Sequence, residues 1–379
     1  MRLRCLLALT TLGVILFNAA VYADDGTEST GETAAKRAPR TPDLRDTESR
    51  VKIQRGDFVA VPIPISDPTL GTGLVAGAAY FYPQTEAQKQ AQPASVTAVA
   101  GMYTSNKSYA YGIGQQNYWA EDRWRFSGAL GRADLKLELL APIETGGESR
   151  ASWLVDANFL YGELSRAVWG NWYAGLTARL VDIDQMIEPA LPPGPFDISN
   201  QIRTVGAGVN LSFDSRDLPL NSYSGRLFEF RTLFNDEAFG SDRTYQAYSA
   251  ALRSYHALNS KLVLAWEMEG CRKTGSVALW DACRLGLRGF PATDYMAKAS
   301  ASAQVEARWQ FHSRWGLVAF GGAGTVRKSL AESQDDELVP SVGVGLRFMV
   351  LPAKRINLRL DYARSNGGEA IYFSVGEAF

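Results

Sequence analysis

The sequence predicts an all-β protein: a 16-stranded antiparallel transmembrane β-barrel. Three observations carry that reading. The chain opens with an export signal, has no later apolar run long enough for a spanning helix, and continues as period-two segments up to an aromatic, Phe379. Only helices and closed barrels satisfy every backbone N–H and C=O inside lipid. Single-chain bacterial barrels have an even strand number.

The export signal comes first. Arg2 and Arg4 form a positive n-region, Leu6 to Ala20 a mostly apolar h-region, and Val21-Tyr22-Ala23 a small-residue cleavage site before Asp24. That apolar run is short for a membrane anchor. Cys5 precedes it, so it does not read as a lipid-attachment cysteine. Residues 1–23 are expected to be a signal peptide, which together with the barrel pattern places the mature chain in the outer membrane of a Gram-negative-type bacterium.

Residues 24–61 read as a disordered periplasmic leader. Residues 24–50 are rich in Asp, Glu, Thr, Arg and Pro, which cannot bury a core. Val61-Pro62-Ile63-Pro64-Ile65 suggests an extended lead-in to the barrel domain, 62–379. The stretch from Asp24 to Leu70 is too short and polar for a folded periplasmic domain.

From Gly71 onward, alternating segments follow one another between turn signals. The first ten are 70–82, 94–104, 107–119, 124–140, 150–162, 171–184, 202–214, 224–234, 242–256 and 260–273. The remaining six are 276–283, 300–311, 314–326, 338–350, 354–364 and 369–379. In one of them Ala151, Trp153, Val155, Ala157, Phe159 and Tyr161 share a face opposite Ser152, Asp156 and Asn158. In the last, Ile371, Phe373, Val375 and Phe379 share a face. Asp214 to Pro219, Asn221 to Gly225 and Asn366-Gly367-Gly368 supply turn chemistry. Trp119, Trp124, Trp169 and Trp172 fall near strand ends, where an aromatic girdle or an ordinary core would use them.

Composition permits this fold without deciding it. The chain has 17 Phe, 16 Tyr, 9 Trp and 35 Gly, yet its mean hydropathy is only −0.14. Alternating lipid-facing and lumen-facing residues average out in that way, and so do soluble all-β proteins. A net charge of −1 gives no reason to expect nucleic acid as a partner. Cys271 and Cys283 would meet an oxidising periplasm, so a disulfide between them is expected, with two reduced thiols as the alternative. No metal site is expected, because the only histidines are His256 and His312 and there is no CxxC.

No enzyme and no cofactor are expected either. Ser254 and His256 share a strand face, but no acid is evident beside them. Gly321-Gly322-Ala323-Gly324 with Lys328 lacks the spacing of a phosphate loop.

Five segments together resemble the BamA/TamA type of bacterial surface antigen superfamily. They are Pro62 to Tyr82, Asp214 to Gly225, Leu287-Arg288-Gly289-Phe290, Phe320-Gly321-Gly322-Ala323-Gly324, and Ser374 to Phe379. The resemblance implies sixteen strands, with the Arg-Gly-Phe loop between strands 11 and 12 folded back into the lumen. It implies that Arg288 pairs there with acids of the inner wall. An arginine in a confined lumen needs a carboxylate, and its planar fork suits two-pronged pairing. Glu306 is the expected partner. At the position of the motif's aspartate the chain has Gly322, so the cradle holds one acid unless a residue such as Asp361 replaces the other.

The resemblance also implies outer-membrane lipid as surroundings and the barrel assembly machinery as the agent of this chain's own insertion, with Phe379 as the insertion signal. It implies a weak seam between first and last strands, here Leu70–Tyr82 against Glu369–Phe379, weakened by Gly367, Gly368 and Gly376. Relatives that assemble or export proteins carry POTRA domains, which residues 24–61 are too few to hold. The chain is therefore expected to be a barrel-only member. It would assist insertion or passage of a protein or lipid client, with or without a separate periplasmic partner. The alternative is a passive pore or structural barrel that has lost client handling.

Overall fold

The computed structural model describes residues 56–142, 148–188, 198–218, 221–329, 336–352, 355–366 and 368–379. The signal peptide, nearly all of the leader, and Pro219 and Gly367 of the expected turns lie outside the described residues. The strands form one antiparallel sheet. Its wall consists of β1 Asp57–Asp67, β2 Gly71–Phe81, β3 Val96–Thr104, β4 Tyr109–Trp119, β5 Trp124–Pro142, β6 Glu148–Trp169, β7 Trp172–Glu188 and β8 Ile198–Asp214. It continues with β9 Gly225–Asn235, β10 Tyr245–Asn259, β11 Leu262–Gly275, β12 Met296–Gln310, β13 Trp315–Ser329, β14 Val339–Leu351, β15 Ile356–Ser365 and β16 Gly368–Val375. A two-residue segment, Cys283–Arg284, adds to the edge of β12 from the β11–β12 loop.

Sixteen wall strands agree with the sequence reading, but through two compensating differences. Residues 57–61 belong to β1 rather than to a leader, and β1 pairs with β2 along its whole length, from Asp57↔Phe81 to Asp67↔Gly71. Pro62 and Pro64 hid this strand, because proline argues against a central strand. It is tolerated here because the other edge of β1 is almost unpaired. Conversely, residues 276–283 are not a wall strand. They hold a 3₁₀ turn, Leu279–Asp281, and lead the chain inward.

The barrel closes between β1 and β16. This seam carries one ladder pair, Ser66↔Phe373, and one added bond, Ser66 Oγ donating to the Ile371 carbonyl at 3.3 Å. On its other side β16 pairs with β15 from Leu358↔Val375 to Ser365↔Gly368. The expected seam between Leu70–Tyr82 and the last strand is therefore corrected: β2 lies one strand further in.

Short turns such as 120–123, 170–171 and 260–261 gather at one end, together with the aromatics. Trp169 there is 81% exposed, and the Trp172–Phe213 and Trp315–Phe348 rings pack in tilted pairs with centroids 5.3 and 4.8 Å apart. Short turns mark the periplasmic end of such barrels, and outward aromatics mark its interface.

Sidedness inverts along β5 to β8. Near the aromatic end, Leu160, Leu164, Leu176 and Val209 point outward and are exposed. Further along, the outer face carries Arg132–Asp156 and Arg203–Asp182 ion pairs at 2.5 and 2.7 Å. There the inner face is apolar: Leu135, Trp153, Val155, Ile183 and Ile202 pack with Trp280 of the inward loop. The apolar face Ala151 to Phe159 thus looks into the lumen, not at lipid. These strands outgrow the bilayer, so the outside medium becomes water while the inside becomes packed protein.

This arrangement fixes a depth-dependent response. Leu176→Arg should destabilise the folded barrel in liposomes by about 2–4 kcal/mol, and Asn158→Arg by about 0–1 kcal/mol. Denaturant unfolding of both variants in vesicles measures the difference; equal costs would contradict the assigned boundary.

Candidate functional site

The β11–β12 loop, residues 276–295, folds into the lumen and is held at three points. The first is covalent: Cys271 of β11 and Cys283 form a disulfide, with Cα atoms 5.7 Å apart. Closing so short a loop stabilises by about 3 kcal/mol in the chain-entropy account.

The second point is Asp281, which is 2% exposed. Its carboxylate accepts from Arg179 at 3.1 and 2.8 Å and from the Tyr245 hydroxyl at 2.6 Å. Lys273 Nζ lies 2.7 Å away. The Arg179 guanidinium also sits 5.1 Å from the Trp280 ring. Sequence reasoning missed this cluster. Arg179 and Asp281 lie 102 residues apart, and no local pattern links them.

The third point is Arg288, 1% exposed. One guanidinium nitrogen donates to Asp361 at 2.7 Å and the other to Glu306. The guanidinium carbon is 3.4 Å from the centre of the Phe320 ring. Its carbonyl accepts from Ser341, and the next amide, Gly289 N–H, donates to the Tyr372 hydroxyl at 2.9 Å. Gly289 has φ +118° and an added Cβ would lie 3.1 Å from the backbone of Arg364, so only glycine suits this turn. Leu287 and Phe290 pack with Leu285, Tyr295, Val326 and Val339.

Asp361 thus supplies the second carboxylate that Gly322 does not. Gly322 lies opposite Gln304, whose amide donates to Gly286 and Glu267 at 3.1 and 2.7 Å. Gly324 faces Leu285, which would lie 3.0 Å from an added Cβ. Period-two alternation does hold a signal for the acid. Asn357, Arg359 and Asp361 are buried inward, between the outward Leu358, Leu360 and Tyr362.

The two carboxylates are shared. Arg308 donates to Glu306 at 2.9 Å, and Arg347 to Asp361 at 2.5 Å. Arg347 also donates to Glu377 at 2.8 Å. The last residues were expected to continue a strand with Phe379 on the face of Ile371. They do not. β16 ends at Val375, Gly376 takes φ +85°, and Glu377 to Phe379 turn into the lumen. Phe379 is 8% exposed and packs on Tyr255 and Ala265. Its side chain is therefore absent from the outer face of β16.

The loop also bridges the seam. Ala292 N–H donates to Thr69 Oγ1, in the β1–β2 turn, at 2.8 Å, while Gly289 contacts Tyr372 of β16.

Removing one member of a buried ion cluster leaves the others uncompensated, at about 3–5 kcal/mol. Arg288→Ala should therefore release the loop, seen as new protease cleavage within residues 284–299. Arg288→Lys should rescue little, because an ammonium cannot span both acids. Unchanged cleavage in the alanine variant would contradict the anchoring role.

Residues 199–379 match the Omp85 superfamily domain. The chain is similar to BamA from Haemophilus ducreyi lacking POTRA domains 1–3, at 15% identity and TM-score 0.59, over 85% of this chain and 70% of that one. It is similar to CdiB from Acinetobacter baumannii at 12% identity and TM-score 0.53, over 85% and 60%. It is similar to CdiB from Escherichia coli at 11% identity and TM-score 0.54, over 87% and 69%. Identities this low show a shared fold. No curated protein matches the sequence. The matched span runs from β8 to Phe379 and contains the Arg288 loop, Glu306, Asp361 and the inward Glu377 to Phe379 segment; over that span the chain is similar to the Omp85 superfamily domain, and its fold is that of the BamA and CdiB barrels.

Proposed function

We propose that this barrel assists insertion or passage of a protein or lipid client at the outer membrane, by parting β1 from β16. The observation that carries the reading is the seam. Every other wall junction is a ladder of many residue pairs, whereas this one has Ser66↔Phe373 alone. An edge with free N–H and C=O groups is a template for an incoming strand. Prolines at 62 and 64 prevent β1 from completing the closure itself.

The inward loop would govern that opening. It contacts Thr69 on one side of the seam and Tyr372 on the other, so parting the strands strains one contact or the other. The reading needs no catalysis. Outer-membrane lipid surrounds the wall, the barrel assembly machinery inserts this chain, and a separate periplasmic partner would deliver the client. The passive-pore alternative has less support, because the loop and Phe379 fill the lumen with buried side chains.

The test uses paired cysteines, Ser66→Cys with Phe373→Cys. Oxidation should abolish complementation of a depletion strain, judged by levels of other outer-membrane proteins, and reduction should restore it. The parent protein, with Cys271 and Cys283 alone, should not respond. Full activity of the cross-linked barrel would sink the proposal, as would a wide, steady conductance in planar bilayers.

A further inference from the structure

The segment Gly376 to Phe379 sits in the lumen the way a bound peptide sits in a receptor. It pairs with no strand. Its one backbone link is Gly376 N–H donating to the Asn357 carbonyl at 2.8 Å. Everything else is recognition by side chains. Glu377 accepts from Arg347 at 2.8 Å and from the Asn357 amide at 2.6 Å. Arg308 donates to the Phe379 carbonyl at 2.9 Å, and its guanidinium lies 5.2 Å from the Phe379 ring centre. The same guanidinium lies 5.6 Å from the Tyr255 ring, so it links the two aromatics. Tyr255 and Ala265 complete an apolar floor for the ring.

The receptor side has capacity left over. Arg308 is 7% exposed and Arg347 3% exposed, yet Nη1 of the first and Nη2 of the second are buried with no hydrogen-bond partner among the described residues. A buried, unpartnered guanidinium N–H is costly and calls for an acceptor. Gly376, at φ +85°, supplies a hinge about which the segment leaves without breaking a ladder.

The geometry points to a peptide-binding site on the inner wall, formed by Arg308, Arg347, Asn357, Tyr255 and Ala265. Its ligand is an acidic residue followed, two positions on, by an aromatic. Glu377 and Phe379 occupy it in cis, and the same chemistry presented by another chain displaces them. Occupancy is read by the loop. Arg308 shares Glu306 with Arg288, and Arg347 shares Asp361 with Arg288. Withdrawing the segment frees both arginines to compete for the acids that anchor Arg288. The site does not depend on seam opening or on the identity of any client.

The test reads exposure of the segment in the full-length, oxidised protein. A thiol introduced by Ala378→Cys, at a position 6% exposed, should react slowly with a maleimide. Arg308→Gln in that background should speed labelling by about tenfold or more, the loss expected for a charged hydrogen bond. An end-blocked peptide Gly-Glu-Ala-Phe in excess should also speed it. Gly-Gln-Ala-Phe and Gly-Glu-Ala-Ala should not. Hydrogen exchange on the unsubstituted chain gives a second readout: protection at 376–379 should fall when the first peptide is added and not with the other two. Fast labelling of the parent variant, indifference to Arg308→Gln, or equal action of all three peptides would overturn the assignment.

Discussion

A guanidinium buried in the lumen of a barrel has to be met by carboxylates, and the interior of this protein is arranged around that requirement. Leaving the buried Arg288 guanidinium without a carboxylate would cost about 3–5 kcal/mol. Two strands therefore send acids to it, Glu306 from β12 and Asp361 from β15. Phe320 of β13 and Ser341 of β14 complete the enclosure. Four consecutive wall strands thus meet at one residue, three at its guanidinium and β14 at its carbonyl. Arg308 and Arg347 help balance the acids and tie in the last residues of the chain, and the buried Arg359 lies 3.6 Å from Asp361.

That commitment divides the lumen. The β12–β16 side is an ion-paired network, while the inner faces of β2 to β8 are largely apolar and pack on Trp280 and its neighbours. Asp281 ties the inward loop to β7 through Arg179, to β10 through Tyr245 and to β11 through Lys273. The interior is consequently packed protein. The outer surface answers to a different medium at each height, which is why Leu176 and Asp182, three turns of the pleat apart on one face of β7, differ in polarity.

Closure is the weak term in this design. Ladder bonds elsewhere run the length of the strands, but at the seam one register pair and side-chain contacts through the loop remain. The junction therefore has less backbone pairing than the other wall junctions, and the loop touches both of its sides through Thr69 and Tyr372. A fold so organised can be closed and still be poised to part at one place.

Periodicity made the architecture legible, because alternation and turn residues are local properties of the chain. The antiparallel order could be read in that way, and the strand total came out at sixteen because the missed β1 offset residues 276–283; the inward loop and the pairing of Arg288 with Glu306 came from the family resemblance instead. The choice of Asp361 over Gly322, the Asp281 cluster, the position of the seam and the inward course of Phe379 could not be read in that way. Each depends on residues far apart in sequence meeting across a lumen: Arg288 and Asp361 are 73 apart, Arg308 and Phe379 71. Alternation states which residues share a face. It does not state whether lipid, water or a folded-in loop lies against that face, and here only closure of the barrel decided it.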